Sequence, residues 1–300
     1  MRPLQPGVWG VLATPFRGPS CDVCETSLAR MAAHYSEVGA TGLTVLGVFG
    51  EAAKLTLAEQ RHVVDVVARV TDLPLVVGLS GRSTRVVLEQ AQVVTEPAGD
   101  RLAGLMVQVN TPDPAALGSH LRAVADATGA SVVVQDYPLV SGVTITPQDL
   151  AKSVAENADV LAAVKSEAPP TPPAIATVGA YSDVPVFGGL GGVGLVDELA
   201  AGAAGAMTGF SYPEALVATV RAYEAGGFDA ARETLAPWLP LVNFEAQPGL
   251  TLAVRKECLR RRGLLDEPAV RPPGPSFPES LVPLADAHLA AAGALLNRTT

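Results

Sequence analysis

The feature that most constrains this chain is a rhythm. Short apolar, β-rich runs alternate with amphipathic stretches of a dozen or so residues. The runs are Val8–Ala13, Leu43–Leu46, Leu75–Leu79, Gly104–Val109, Ser131–Gln135, Val160–Lys165, Val184–Gly188 and Gly205–Thr208. Uninterrupted apolar runs suit parallel strands buried on both faces. The stretches between them carry helical spacing: Thr26–Val38 lines up Leu28, Met31, Ala32 and Tyr35, and Leu57–Val70 lines up Val63, Val64, Val67 and Val70. Thr56-Leu-Ala-Glu59 has the form of a capping box. Eight strand–helix units predict a closed (β/α)8 barrel of the α/β class, with an open doubly wound sheet as the competitor.

The rhythm stops near residue 225. We therefore assign 1–225 to the barrel and 226–300 to a C-terminal helical region. Asp229–Ala246, Leu250–Arg261 and Leu281–Leu296 read as its helices, and the proline-rich Arg271–Pro278 reads as an extended loop. At 300 residues and 48% hydrophobic content, one large core is within reach.

Net charge is −9, which disfavours partners with phosphate backbones or anionic lipid surfaces. No run of 18 apolar residues offers a membrane span, and the N-terminus lacks a signal-peptide core, so a cytoplasmic location is expected. Cys21, Cys24 and Cys258 are too few for a disulfide framework. Cys21 and Cys24 stand in a CxxC pair, but further zinc ligands are scarce, so no metal is expected.

Barrel chemistry sits at the C-terminal ends of the strands. Only Lys165, of the four lysines Lys54, Lys152, Lys165 and Lys256, ends an apolar strand. An ammonium in a barrel mouth loses solvation, and a neutral amine there can form an imine with a ketone. The same position also suits a lysine that only snorkels or pairs with Glu167. After the second strand, Gly47-Val48-Phe49-Gly50-Glu51 is a turn whose backbone N–H groups could hold a carboxylate, or which merely connects two elements. In Gln135-Asp136-Tyr137-Pro138, after the fifth strand, Tyr137 is a candidate proton relay and Gln135 a candidate hydrogen-bonding partner for a substrate hydroxyl. Packing and capping are the plainer roles there. Gly189–Gly194 reads GxGxxG, but in the seventh unit, where a glycine-rich loop of a barrel can also receive small anions. Gly188, Gly189 and Thr208 complete the set of candidate binding residues at the strand ends.

Together these residues, from Gly7-Val-Trp-Gly-Val-Leu-Ala-Thr-Pro-Phe16 onward, resemble the dihydrodipicolinate synthase and N-acetylneuraminate lyase family of class I aldolases. The resemblance implies a Schiff base on Lys165, carboxylate binding by the Gly47–Glu51 turn, no cofactor beyond that covalent imine, and a homodimer or homotetramer. It also exposes departures. Gln135-Asp136 stands where the family has a tyrosine–asparagine pair, Val140 where many synthases have an arginine, and Thr111-Pro-Asp-Pro114 where paired tyrosines are usual. Val48 and Phe49 replace adjacent hydroxyl residues. Gln135-Asp136, Ser141-Gly142, Gly205-Ala-Met-Thr-Gly209 and Trp238-Leu-Pro-Leu-Val-Asn243 resemble the L-2-keto-3-deoxyarabonate dehydratase branch. The expected activity is that of a lyase on a 2-keto acid, as a dehydratase or aldolase of a 2-keto-3-deoxy sugar acid. Pyruvate-dependent aldol condensation is the alternative, and a non-catalytic keto-acid-binding barrel a third.

Overall fold

The computed structural model describes residues 2–299. Its strands are β1 (Gly7–Val11), β2 (Gly42–Val45), β3 (Leu75–Leu79), β4 (Leu102–Gln108), β5 (Val132–Asp136), β6 (Leu161–Ser166), β7 (Val186–Gly188) and β8 (Gly205–Thr208). They close a barrel in sequence order, with β1 pairing both β2 and β8, and every barrel pairing is parallel. The eight runs expected from sequence match these strands to within two residues at each end.

The alternation along each strand explains why the runs looked continuous. On β5, Val132 and Val134 face the helices while Val133 faces the barrel axis with Val76, Met106, Ala163, Phe187 and Met207. Both faces are apolar, so no period of two survives in the sequence. Leu4 and Trp9 join the axial cluster from the N-terminal end, and the Leu4 N–H donates to the Ala162 carbonyl.

The outer helices are α1 (Glu25–Glu37), α2 (Leu57–Val70), α3 (Thr84–Ala98), α4 (Pro114–Thr128), α5 (Pro147–Glu156), α6 (Thr171–Tyr181), α7 (Leu195–Ala200) and α8 (Pro213–Leu235). The capping box of α2 forms: the Glu59 N–H donates to Thr56 Oγ1 at 3.2 Å, and the Thr56 N–H donates to Glu59 Oε2 at 2.9 Å. The boundary placed after residue 225 falls inside α8, two residues before Gly227, where the backbone leaves helical geometry (φ 71°, ψ −155°). Beyond α8 lie α9 (Leu239–Glu245), α10 (Thr251–Arg261) and α11 (Val282–Thr299). Val8, Leu195 and Phe210 of the barrel share one apolar cluster with Trp238, Val242, Val254 and Cys258 of the C-terminal region. No described helix is long and apolar enough to cross a membrane.

Candidate active site

Lys165 points into the barrel from the end of β6, because residues 163, 165 and 167 share the inward face of an extended segment. Its neighbours in register are Gln135 on β5 and Phe187 on β7. The side chain is 5% exposed, and its Nζ lies 3.0 Å from Oε2 of Glu167, itself 7% exposed. Gln135 Nε2 donates to the same oxygen at 2.6 Å, and the Leu190 N–H donates to Glu167 Oε1 at 3.3 Å. Glu167 is thus a buried carboxylate ringed by donors, one of them the candidate nucleophile. The sequence reading treated Glu167 only as a partner of Lys165. The missed signal was its spacing: two residues after an inward lysine puts a side chain on the same face.

Tyr137 is half-buried in the backbone bend that opens the short helix Pro138–Ser141. Burial pushes its phenol pKa up, Glu167 adds to that push, and Arg255 opposes it, so both charges reach this ring. Asp136, on the outward face of β5, is held up near 6 by burial and by Glu167.

The glycine-rich loop has a packing explanation. A Cβ on Gly188 would collide with the Glu198 carboxylate, one on Gly189 with Glu167, and one on Gly191 with the Arg255 guanidinium. Gly191 also has φ 74°, which a side chain rarely tolerates. Its N–H donates to Thr208 Oγ1 at 2.8 Å, so Thr208 holds this loop. Glu198 accepts from Thr171 Oγ1 at 2.6 Å, and burial raises its pKa to about 7. A GxGxxG pattern therefore arises here from three charged side chains pressed against the backbone.

A cavity of about 330 Å³ opens beside this cluster. Its wall includes Gly47, Val48, Ser80, Arg82, Gln108 and Gln135. Of this cluster Gln135 lines the cavity, while Lys165 and Glu167 lie off its wall. Phe49 turns away from the cavity and packs on Gly209, with the Arg255 guanidinium 5.6 Å from its ring centroid. Among the described residues, no hydrogen bond takes up the N–H groups of Val48 and Phe49. Cys24 contacts Ser27 and Asp266 through its sulfur, and Cys21 and Cys258 are free thiols.

Val140 does stand where an arginine was expected, yet a guanidinium is present: Arg82, from the end of β3, donates to the Val140 carbonyl and lines the cavity. This guanidinium comes from another strand, so spacing could not reveal it.

Comparison with known proteins agrees with this architecture. Residues 5–291 match the model of the "Dihydrodipicolinate synthetase family". The 4-hydroxy-tetrahydrodipicolinate synthase of Kineococcus radiotolerans is 31% identical over 97% of this chain and 95% of its own. A probable mitochondrial 4-hydroxy-2-oxoglutarate aldolase of Emericella nidulans is 27% identical over 89% of each chain. The crystal structure of dihydrodipicolinate synthase from Rhodopseudomonas palustris superposes with a TM-score of 0.87 at 31% identity, covering 97% of this chain and 99% of that one. With the barrel, the inward lysine and a match along nearly the whole sequence, this chain belongs to the dihydrodipicolinate synthetase family of class I aldolases and lyases.

Proposed function

We propose that this enzyme is a Schiff-base lyase that removes water from a 2-keto-3-deoxy sugar acid, with Lys165 as the imine-forming amine and Glu167 as the proton acceptor. The observation that carries the reading is the buried Lys165–Glu167 contact at 3.0 Å. Glu167 can take a proton from the Lys165 ammonium, freeing the amine to attack the C2 ketone, whose oxygen leaves as water. The protonated imine then draws electrons from C3. Glu167 removes a C3 proton, the enamine expels the C4 hydroxyl, and hydrolysis of the conjugated imine returns Lys165. The departing hydroxyl needs one proton, which either the newly protonated Glu167 or the Tyr137 phenol can supply. The substrate carboxylate would sit on the Val48 and Phe49 N–H groups, which have no other acceptor among the described residues. No cofactor enters this scheme, and assembly as a homodimer or homotetramer belongs to the same reading.

One observation favours a second reading, pyruvate-dependent aldol condensation. Arg82 gives the cavity a guanidinium that could receive the carboxylate of an incoming aldehyde. Two assays of the purified enzyme decide between them: water loss from 2-keto-3-deoxy pentonates and hexonates, and condensation of pyruvate with aspartate semialdehyde. Dehydration is expected to be the efficient reaction. Efficient condensation with no dehydration would establish the second reading instead.

A further inference from the structure

The C-terminal helical region reaches into the barrel mouth through consecutive residues of α10. Arg255 lies against Phe49 and Gly191. Lys256, fully buried, directs its three N–H donors to three separate elements: Glu51 Oε1 at 2.5 Å in the second βα turn, the Thr14 carbonyl at 2.8 Å after β1, and the Ala269 carbonyl at 2.8 Å in the segment beyond α10. Leu252, one helical turn earlier, lines the cavity.

The turn they clamp is under backbone strain. Leu46 and Glu51, at its two ends, both adopt left-handed backbone (φ 57° and 54°), where side chains are disfavoured. Such a conformation persists only when its surroundings hold it. Here Thr14 Oγ1 donates to the Gly50 carbonyl at 2.6 Å. The second oxygen of Glu51 accepts from Lys54 Nζ at 2.8 Å and from the Arg271 N–H at 3.1 Å. Arg271 is itself tied to Glu59 at the start of α2, and Lys54 to the Arg271 carbonyl. Every polar contact of the Glu51 carboxylate therefore leads to the C-terminal region or to a residue that region holds.

We infer that Lys256 is a positioning residue for substrate binding: through Glu51 it fixes the Gly47–Glu51 turn in the shape that presents the Val48 and Phe49 N–H groups to a keto-acid carboxylate. This rests on the assignment of that turn to the carboxylate. It is separable from the imine chemistry, because Lys256 touches neither Lys165 nor Glu167.

The experiment compares wild type with Lys256→Met, Glu51→Gln and the double variant. Each is measured for thermal midpoint, for pyruvate binding by calorimetry, and for the pyruvate concentration that half-saturates borohydride trapping. Lys256→Met leaves Glu51 with Lys54 as its one remaining cation and strips the Thr14 and Ala269 carbonyls of their donor, and Glu51→Gln leaves the Lys256 charge buried without a carboxylate, so both are expected to lower the midpoint and weaken pyruvate binding. The double variant removes both charges. Its midpoint should recover towards wild type, while the half-saturating pyruvate concentration stays raised about tenfold and the adduct at saturation stays complete. If binding recovers together with the midpoint, Lys256 serves stability alone and the inference is wrong. Should the single variants fail to fold, the double variant decides by itself. Calorimetry needs no imine, so it reads the turn even if no adduct forms in wild type.

Discussion

The mouth of this barrel buries two lysine–glutamate pairs, and they are built to opposite ends. Lys256 has three acceptors, one for each of its protons, and its partner Glu51 is bonded through both oxygens. Burial pulls the Lys256 pKa down to about 8, and Glu51 resists that pull, which leaves it mainly charged at neutral pH. Lys165 has one polar partner among the described residues, Glu167, and that carboxylate is shared with Gln135 and Leu190. A cation with three fixed acceptors is a rivet. An amine with a single carboxylate neighbour can hand that neighbour its proton and use its lone pair. Burial is common to both lysines; the number of acceptors separates them.

The sharpest way to break this contrast is to exchange one cation at a time. Lys165→Arg should abolish turnover with little change in thermal midpoint, since guanidinium forms no imine. Lys256→Met should do the reverse in weight, costing roughly 1–3 kcal/mol of stability, because Glu51 keeps Lys54 while the Thr14 and Ala269 carbonyls lose their donor. A Lys165→Arg protein that turns over would erase the distinction. Next in size, Glu167→Gln should lower dehydration by roughly 10²–10⁴-fold, the range for losing one acid–base group. Its adduct with pyruvate should still form, although more slowly.

A smaller effect tests the turn. A methyl group at Gly47 meets nothing nearer than Val11 Cγ1 at 3.4 Å, whereas one at Gly78 runs into the Leu46 carbonyl. Gly78→Ala should therefore weaken pyruvate binding more than Gly47→Ala does, as read by calorimetry. Equal effects would mean that the turn tolerates displacement.

The smallest effect is pH dependence from Glu198, whose pKa burial raises from 4.5 to about 7. The folded state holds this proton more tightly than the unfolded state does. Its contribution is thus fully present below pH 4.5 and is lost as pH rises towards 7, by at most about 3 kcal/mol. Glu198→Gln should flatten the fall in thermal midpoint over that window. An unchanged slope would assign the fall to other groups, Glu245 first among them, since burial also raises it to about 7.

What the sequence revealed and what it hid follow one division. The strands were legible because both faces of each are apolar, and α2 because its cap is local. Lys165 stood out because a charge ends a run that is otherwise apolar. The supporting parts were hidden because they are non-local. Arg82 reaches Val140 across 58 positions, and Lys256 reaches Glu51 across 205. No periodicity or spacing records such contacts. The tail's helices were visible, but not that one of them closes over the Gly47–Glu51 turn. The packing behind the GxGxxG pattern was hidden for the same reason: its glycines answer to Glu198, Glu167 and Arg255, which lie elsewhere in the chain.

The proposed chemistry depends on Lys165 forming the imine. Incubating the purified protein with pyruvate and borohydride, followed by peptide mass spectrometry, tests it directly. The account predicts one stable adduct, on Lys165, that is absent from Lys165→Arg. An adduct on Lys54, Lys152 or Lys256 in its place, or none with any 2-keto acid tried, would contradict it.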